Sequence, residues 1–359
     1  MPLMMSQHFT FLLSAILVCV LSFHGNSARA QEDMISDTDE IEVSAEGGSD
    51  EMPGSDDELA DEVIESEDDW LEDSKDYAAR KANEMTQWVD NFFGNDERDL
   101  EQAESRLRLR TIYNWDERLD NEVKFRLGGK VSLPQISKRL DLVFRGEDMD
   151  DFGDDGVEDP SEDRIGLQYQ VGPKDIRKHR FDLTVGFGSS GPKPGVKYVY
   201  QDAFAEDLNF RFTQRFTYDL GEGGYGSSRF VLDKALRERE LVRAYTRFLY
   251  GEKTDGTEWS SSLSYARGWQ GDSGRVGATW LYVGADGQTE PYDFVKNYKV
   301  GARFRRQAYR DWLFWEIEPS YNWRIDEPYF DREGAWRIEL RLEFLLFDNP
   351  GETLEKQIR

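Results

Sequence analysis

Thirteen charged residues stand at alternate positions in five short stretches: Arg106, Arg108 and Arg110; Lys124 and Arg126; Arg303 and Arg305; Glu316 and Glu318; and Arg337, Glu339, Arg341 and Glu343. A spacing of two puts each set on one face of an extended strand. Carboxylates and guanidiniums on neighbouring strands can then pair with one another or line a passage for dissolved ions. This is the chemistry of binding and conduction, and bond breaking would need other groups. Beyond residue 30 the only histidine is His179, in "PKDIRKHR", and the only cysteine, Cys19, falls in the N-terminal apolar run. With no nucleophile and base in reach of each other, no histidine cluster for zinc and no phosphate-binding glycine loop, no enzymatic activity is expected. "GEGGYGSS", residues 221–228, reads as a glycine-rich hairpin loop.

One stretch has partial metal-ligand spacing. "DFGDDGVEDPSE" places Asp151, Asp155, Asp159 and Glu162 where a calcium loop has ligands and Gly156 at its sharp turn, but Gly153 stands at a ligand position. Helices should flank such a loop, whereas strand patterns flank this one. The expectation is no required cofactor. Two readings of the loop stay open: a calcium site, or an acidic stretch that attracts divalent ions diffusely.

The elements that must position the thirteen charges are strands. In "AWRIELRLEFLLF" large apolar residues occupy every position between the charges, a period of two with one oily and one charged face. The same alternation recurs from Ser105 to Phe347 and gives fourteen strands, with short connections expected at even turns and longer ones at odd turns, including 146–163, "GADGQTEPYDFVKN" and "RIDEPYFDREG". An even count of antiparallel strands with turns of this asymmetry predicts an all-β, closed transmembrane barrel, oily side to lipid and charged side to an aqueous lumen. Trp115, Tyr169, Tyr198, Tyr218, Tyr250, Trp259, Trp280, Tyr298, Trp315 and Trp323 fall on the apolar parity, as interfacial aromatics do.

Ahead of the barrel, residues 1–30 read as a cleaved secretory signal ending in Ala28-Arg29-Ala30. Residues 31–69 carry eighteen Asp and Glu and no Lys or Arg, and read as an acidic disordered tail. Residues 70–104 comprise an amphipathic helix and linker, with Ala78, Ala82, Met85, Val89 and Phe92 at helical spacing and Trp88 beside them. The barrel is expected over 105–347 and a C-terminal tail over 348–359. The net charge of −27 is concentrated in 31–69 and 146–163, which argues against nucleic acid as a partner.

The terminal strand "WRIELRLEFLLF", ending in Phe347, resembles the last strand of Gram-negative outer-membrane β-barrel proteins, although "DNPGETLEKQIR" continues past it. The resemblance implies residence in the outer membrane, contact with its lipid and lipopolysaccharide, and insertion by the barrel-assembly machinery. It further implies a porin-like channel for small solutes. The lumen residues are more basic than acidic, so small anions are expected. The alternative is a structural barrel that anchors a periplasmic partner through its acidic tail and helix.

Overall fold

The computed structural model describes residues 105–349, less 134–135, 137–138, 145–164, 172–177, 189–190, 206, 222, 238, 255, 272–273, 311 and 326–327. The expected signal, acidic tail, helix, calcium-type loop and residues 350–359 lie outside the described residues. By internal contacts the chain divides into two units, Met1–Ala78 and Ala79–Arg359, and the described residues belong to the second.

Fourteen strands form one sheet: β1 (Ser105–Asp116), β2 (Glu122–Ser132), β3 (Leu140–Phe144), β4 (Ile165–Val171), β5 (His179–Gly188), β6 (Gly191–Ala205), β7 (Leu208–Asp219), β8 (Gly223–Arg237), β9 (Glu240–Gly251), β10 (Thr257–Gln270), β11 (Val276–Gln288), β12 (Phe294–Gln307), β13 (Leu313–Arg324) and β14 (Glu333–Asn349). Each pairs with its sequence neighbour, and β1 pairs antiparallel with β14 from Ser105↔Asn349 to Asp116↔Arg337, closing the barrel. Closure leaves no sheet edge, the condition for a sheet to sit in hydrocarbon. An even strand count puts the start of β1 and the end of β14 at one rim, termed here the terminal end.

The two faces have the polarity of a membrane protein. Phe125, Leu183, Phe187, Leu281, Val283, Trp336, Leu340 and Leu342 point outward and are exposed, whereas Arg303, Arg305, Glu316, Glu318, Arg341 and Glu343 point inward and are buried. A water-soluble sheet would bury the first set. The polar Gln214 stands on the outward face of β7 with its amide satisfied: Nε2 donates to the Ser227 carbonyl and to Tyr250 Oη, and Oε1 accepts from Ser228. In lipid such a group is tolerable because its hydrogen bonds are made within the protein.

Four expectations need correction. Residues 223–228 are not loop but the first part of β8, paired with β7 and β9; glycines have no side chain to reveal a face. The sixth strand, expected over 195–202, starts earlier, at Gly191, and takes in Pro192 and Pro194 opposite Phe187 and Val185. Most of "GADGQTEPYDFVKN" is strand, which leaves 289–293 as the connection, so the expected length asymmetry survives mainly in 145–164 and 325–332. Finally, Trp280 points inward. It is 0% exposed and lies opposite Ala266 and Arg303 on the charged parity.

Candidate functional site: the charged interior of the barrel

The inner face of β12, β13, β14 and β1 carries a ladder of opposite charges set by register. Arg305 lies opposite Glu316, Glu316 opposite Arg341, and Glu343 opposite Arg110. Pairing follows directly. Arg110 Nε donates to Glu343 Oε2 at 2.6 Å, and Arg305 donates to Glu343 at 2.6 and 3.3 Å and to Glu316 at 3.3 Å. Arg303 donates to Glu318 at 2.5 Å, and Arg341 to Glu318 at 2.7 Å and to Glu316. Arg108 Nε approaches Glu343 Oε1 at 4.0 Å. Each carboxylate is thus shared by guanidiniums from more than one strand, which stitches β1 to β12 around the seam. Buried charges persist only when compensated in this way.

The other sequence-designated residues sit around this ladder. Arg337 donates to Glu339 at 3.0 Å and to Asn114 at 3.5 Å, and Arg341 also contacts Glu339. Lys124 pairs at 3.0 Å with Glu122, two residues before it on the same strand. Arg126 stands opposite Arg110, and Arg106 opposite Lys130. Asp151, Asp155, Asp159 and Glu162 lie outside the described residues. Among the described residues no group of three or more metal-binding side chains occurs. His179 opens β5 with an exposed ring, and its Nδ1 lies 2.8 Å from Tyr198 Oη. The neighbouring Lys178 hydrogen-bonds Asp202 at 2.9 Å, and that carboxylate holds its ammonium above the ordinary lysine range.

Two interior features had escaped the sequence reading. The first is a basic band on β6–β9: Lys197 opposes Arg215, Arg229 opposes Arg247, and Arg211 lies between Gln201 and Val231. The arginines of this band are half-buried or buried. Carboxylates are interspersed with it: Lys197 also stands opposite Asp182 on β5, Lys193 on β6 contacts Asp219 at 3.0 Å, and Arg243, lower on β9, bonds Asp233 at 2.6 and 2.9 Å. Alternation of Arg211 and Arg215 with aromatics in "NFRFTQRFTYD" is the sequence signal that points to it. The second is apolar. Leu241, Ala266, Ala278, Trp280, Tyr282 and Phe314 form a buried inward cluster near the terminal end, joined by Ala235, Val276 and Leu345. Here guanidiniums stack on rings, Arg305 over Phe314 at 4.6 Å and Arg243 over Trp280 at 5.5 Å. Tyr282 reaches over Gly301 to donate to Glu318 at 2.7 Å. A Cβ at Gly301 would lie 2.5 Å from the Tyr282 ring, so a larger residue there would push the phenol away from Glu318.

No protein-family model matches the chain, and no curated protein matches it significantly. Solved outer-membrane barrels are similar in fold only. The anion-selective porin of Comamonas acidovorans aligns at 8% identity over 67% of this chain and 98% of that one, with a TM-score of 0.41. Outer-membrane expressed OmpT of Vibrio cholerae aligns at 11% identity over 67% and 96%, at 0.40. OccK11 of Pseudomonas aeruginosa aligns at 13% over 69% and 97%, at 0.35. Likenesses this weak carry no weight for what the chain does; closure, strand count and the polarity of the two faces carry the assignment. The chain is a fourteen-stranded transmembrane β-barrel of the outer-membrane type.

Proposed function

We propose that the barrel is a porin-like channel whose interior passes small anionic solutes. The observation that carries this reading is the pairing of like charges in register on β6–β9, Lys197 with Arg215 and Arg229 with Arg247. Like charges directly opposite one another weaken a sheet. A wall that keeps them concentrates anions instead, because a narrow low-dielectric interior focuses its field. On the seam side the Arg–Glu ladder offsets most of the same field, whereas on β6 to β9 the bases Lys193, Lys197, Arg211, Arg215, Arg229 and Arg247 outnumber the facing Asp182 and Asp219. The reading is non-enzymatic.

The test is the reversal potential of the full chain in planar bilayers under a salt gradient. The expected sign is anion preference, and Arg229→Glu with Arg247→Glu should abolish or invert it. Lys253→Gln, on an exposed loop, should leave it in place. Cation preference in the unaltered chain, or no conductance at all, would overturn the reading.

A further inference from the structure

We infer that the inner wall at β4–β7 holds a binding cradle for the carboxylate end of a small solute. Glycines gather there on the inward parity. Gly166 lies opposite Gly186, Gly186 opposite Lys193, and Gly195 between Thr184 and Thr217. Glycine inside a strand weakens it, and it recurs where a ligand or another backbone comes close. With no side chains at Gly166 and Gly186 the wall is hollowed, and a cavity of about 30 Å3 opens over them. Gln168, Thr184, Lys193, Arg215 and Thr217 form its polar rim, and Val143 stands at its apolar edge.

Geometry, charge and size together name the ligand class. A Cβ at Gly195 would lie 2.8 Å from Thr184 Oγ1 and 3.0 Å from Thr217 Oγ1, so both hydroxyls converge over the glycine. It would also lie 2.7 Å from the Phe216 carbonyl oxygen, which leaves no room for a side chain between them. The acids beside the hollow are turned to other partners. Asp182 accepts from Gln168 at 3.1 Å and from Arg180 at 3.0 Å, while Asp219 accepts from the Gly221 amide at 2.6 Å and holds Lys193 at 3.0 Å. Asp141, opposite Gln168, contacts Lys130 at 3.3 Å. Arg180, Lys193, Lys197 and Arg215 thus stand against Asp182 and Asp219, and the local field is positive. A bound water needs at least about 10–15 Å3 of such space, so the cavity takes about two oxygen atoms. A carboxylate presents two in one plane, a match for the guanidinium fork of Arg215 with the threonine hydroxyls as further donors. A sulfate or phosphate group carries more oxygens than the hollow holds. The body of the solute stays in the lumen.

The cradle rests on the channel reading for its supply of solute from an aqueous lumen, and it deepens that reading by naming a place and an end group. Saturation-transfer NMR of propionate with the full chain in lipid nanodiscs, at constant ionic strength, measures binding at equilibrium. The expected result is a saturable propionate signal that acetate displaces and the same concentration of sulfate does not. Thr184→Val with Thr217→Val keeps the branched shape but removes both hydroxyls, and should weaken propionate binding roughly tenfold. Thr213→Val, at an inward threonine of β7 outside the hollow, should bind as the unaltered chain does. Heat-resistant migration of each variant verifies that the barrel is intact. A signal that fails to saturate, equal displacement by sulfate, or unchanged binding in the Thr184→Val, Thr217→Val pair would overturn the proposal. The reversal potential separates the two readings. Anion preference without saturable propionate binding removes the cradle and leaves the channel, whereas saturable binding in a barrel of cation preference removes the anion channel and leaves the cradle.

Discussion

Replacing Glu343 by glutamine probes the interior ladder at its most connected point. Glu343 is 1% exposed and accepts from Arg110 at 2.6 Å and from Arg305 at 2.6 and 3.3 Å, with Arg108 at 4.0 Å. Glutamine keeps the shape and one acceptor oxygen, but it removes the charge and turns an NH2 toward guanidinium donors. Neutralising one partner of a buried ion pair costs about 3–5 kcal/mol. The retained acceptor returns about 1 kcal/mol, so the expected loss is roughly 2–4 kcal/mol. The Arg118–Glu333 pair provides the control, since both side chains are well exposed and Glu333→Gln should cost no more than about 1 kcal/mol. Urea unfolding in detergent micelles, followed by tryptophan fluorescence and by the fraction migrating as the folded band, measures both. A double-mutant cycle with Arg110→Gln should show a coupling of at least about 1 kcal/mol. If Glu343→Gln loses no more stability than Glu333→Gln, the ladder does not hold the seam and the reasoning is refuted.

Three further outcomes follow from the same geometry. Leu342→Arg places a cation on the outward face and should cost roughly 2–4 kcal/mol if that site lies near the bilayer midplane; unchanged unfolding would put residue 342 away from lipid. Gly301→Val drives a side chain into the Tyr282 ring and breaks its bond to Glu318, costing roughly 1–3 kcal/mol. The companion Tyr282→Phe should lose less, and the reverse order in a melting series would dispute the glycine's role. Anion preference should weaken as salt rises, because screening acts over about 8 Å at physiological ionic strength; a reversal potential indifferent to salt concentration would point to a steric filter instead.

The sequence carried the fold where one parity was wholly polar. In "WRIELRLEFLLF" and in Arg303, Arg305, Glu316 and Glu318 the alternation left a single arrangement of faces, and register then brought these charges together. It failed where both parities were apolar. "TWLYVGA" offers Trp280 and Tyr282 on one side and Leu281 and Val283 on the other, and only pairing with Arg303 and Gly301 shows which set turns inward. Glycine and proline concealed strand ends for a related reason: Gly223, Gly224 and Gly226 carry no face, and Pro192 and Pro194 read as breakers although they occupy outward positions. The basic band of β6–β9 was present residue by residue, but its meaning lies in cross-strand neighbours such as Arg229 and Arg247 that no single stretch reveals.

The central claim, a barrel with its charged face inside and its oily face in lipid, is tested most directly by a nitroxide scan of residues 336–343 on β14 in reconstituted bilayers. Collision rates with oxygen, which partitions into lipid, and with a water-soluble nickel chelate are measured at each position. The account predicts a period of two, with oxygen favoured at 336, 338, 340 and 342 and depressed at 337, 339, 341 and 343. Accessibility that varies smoothly along the strand, or that favours oxygen at the charged positions, would contradict it.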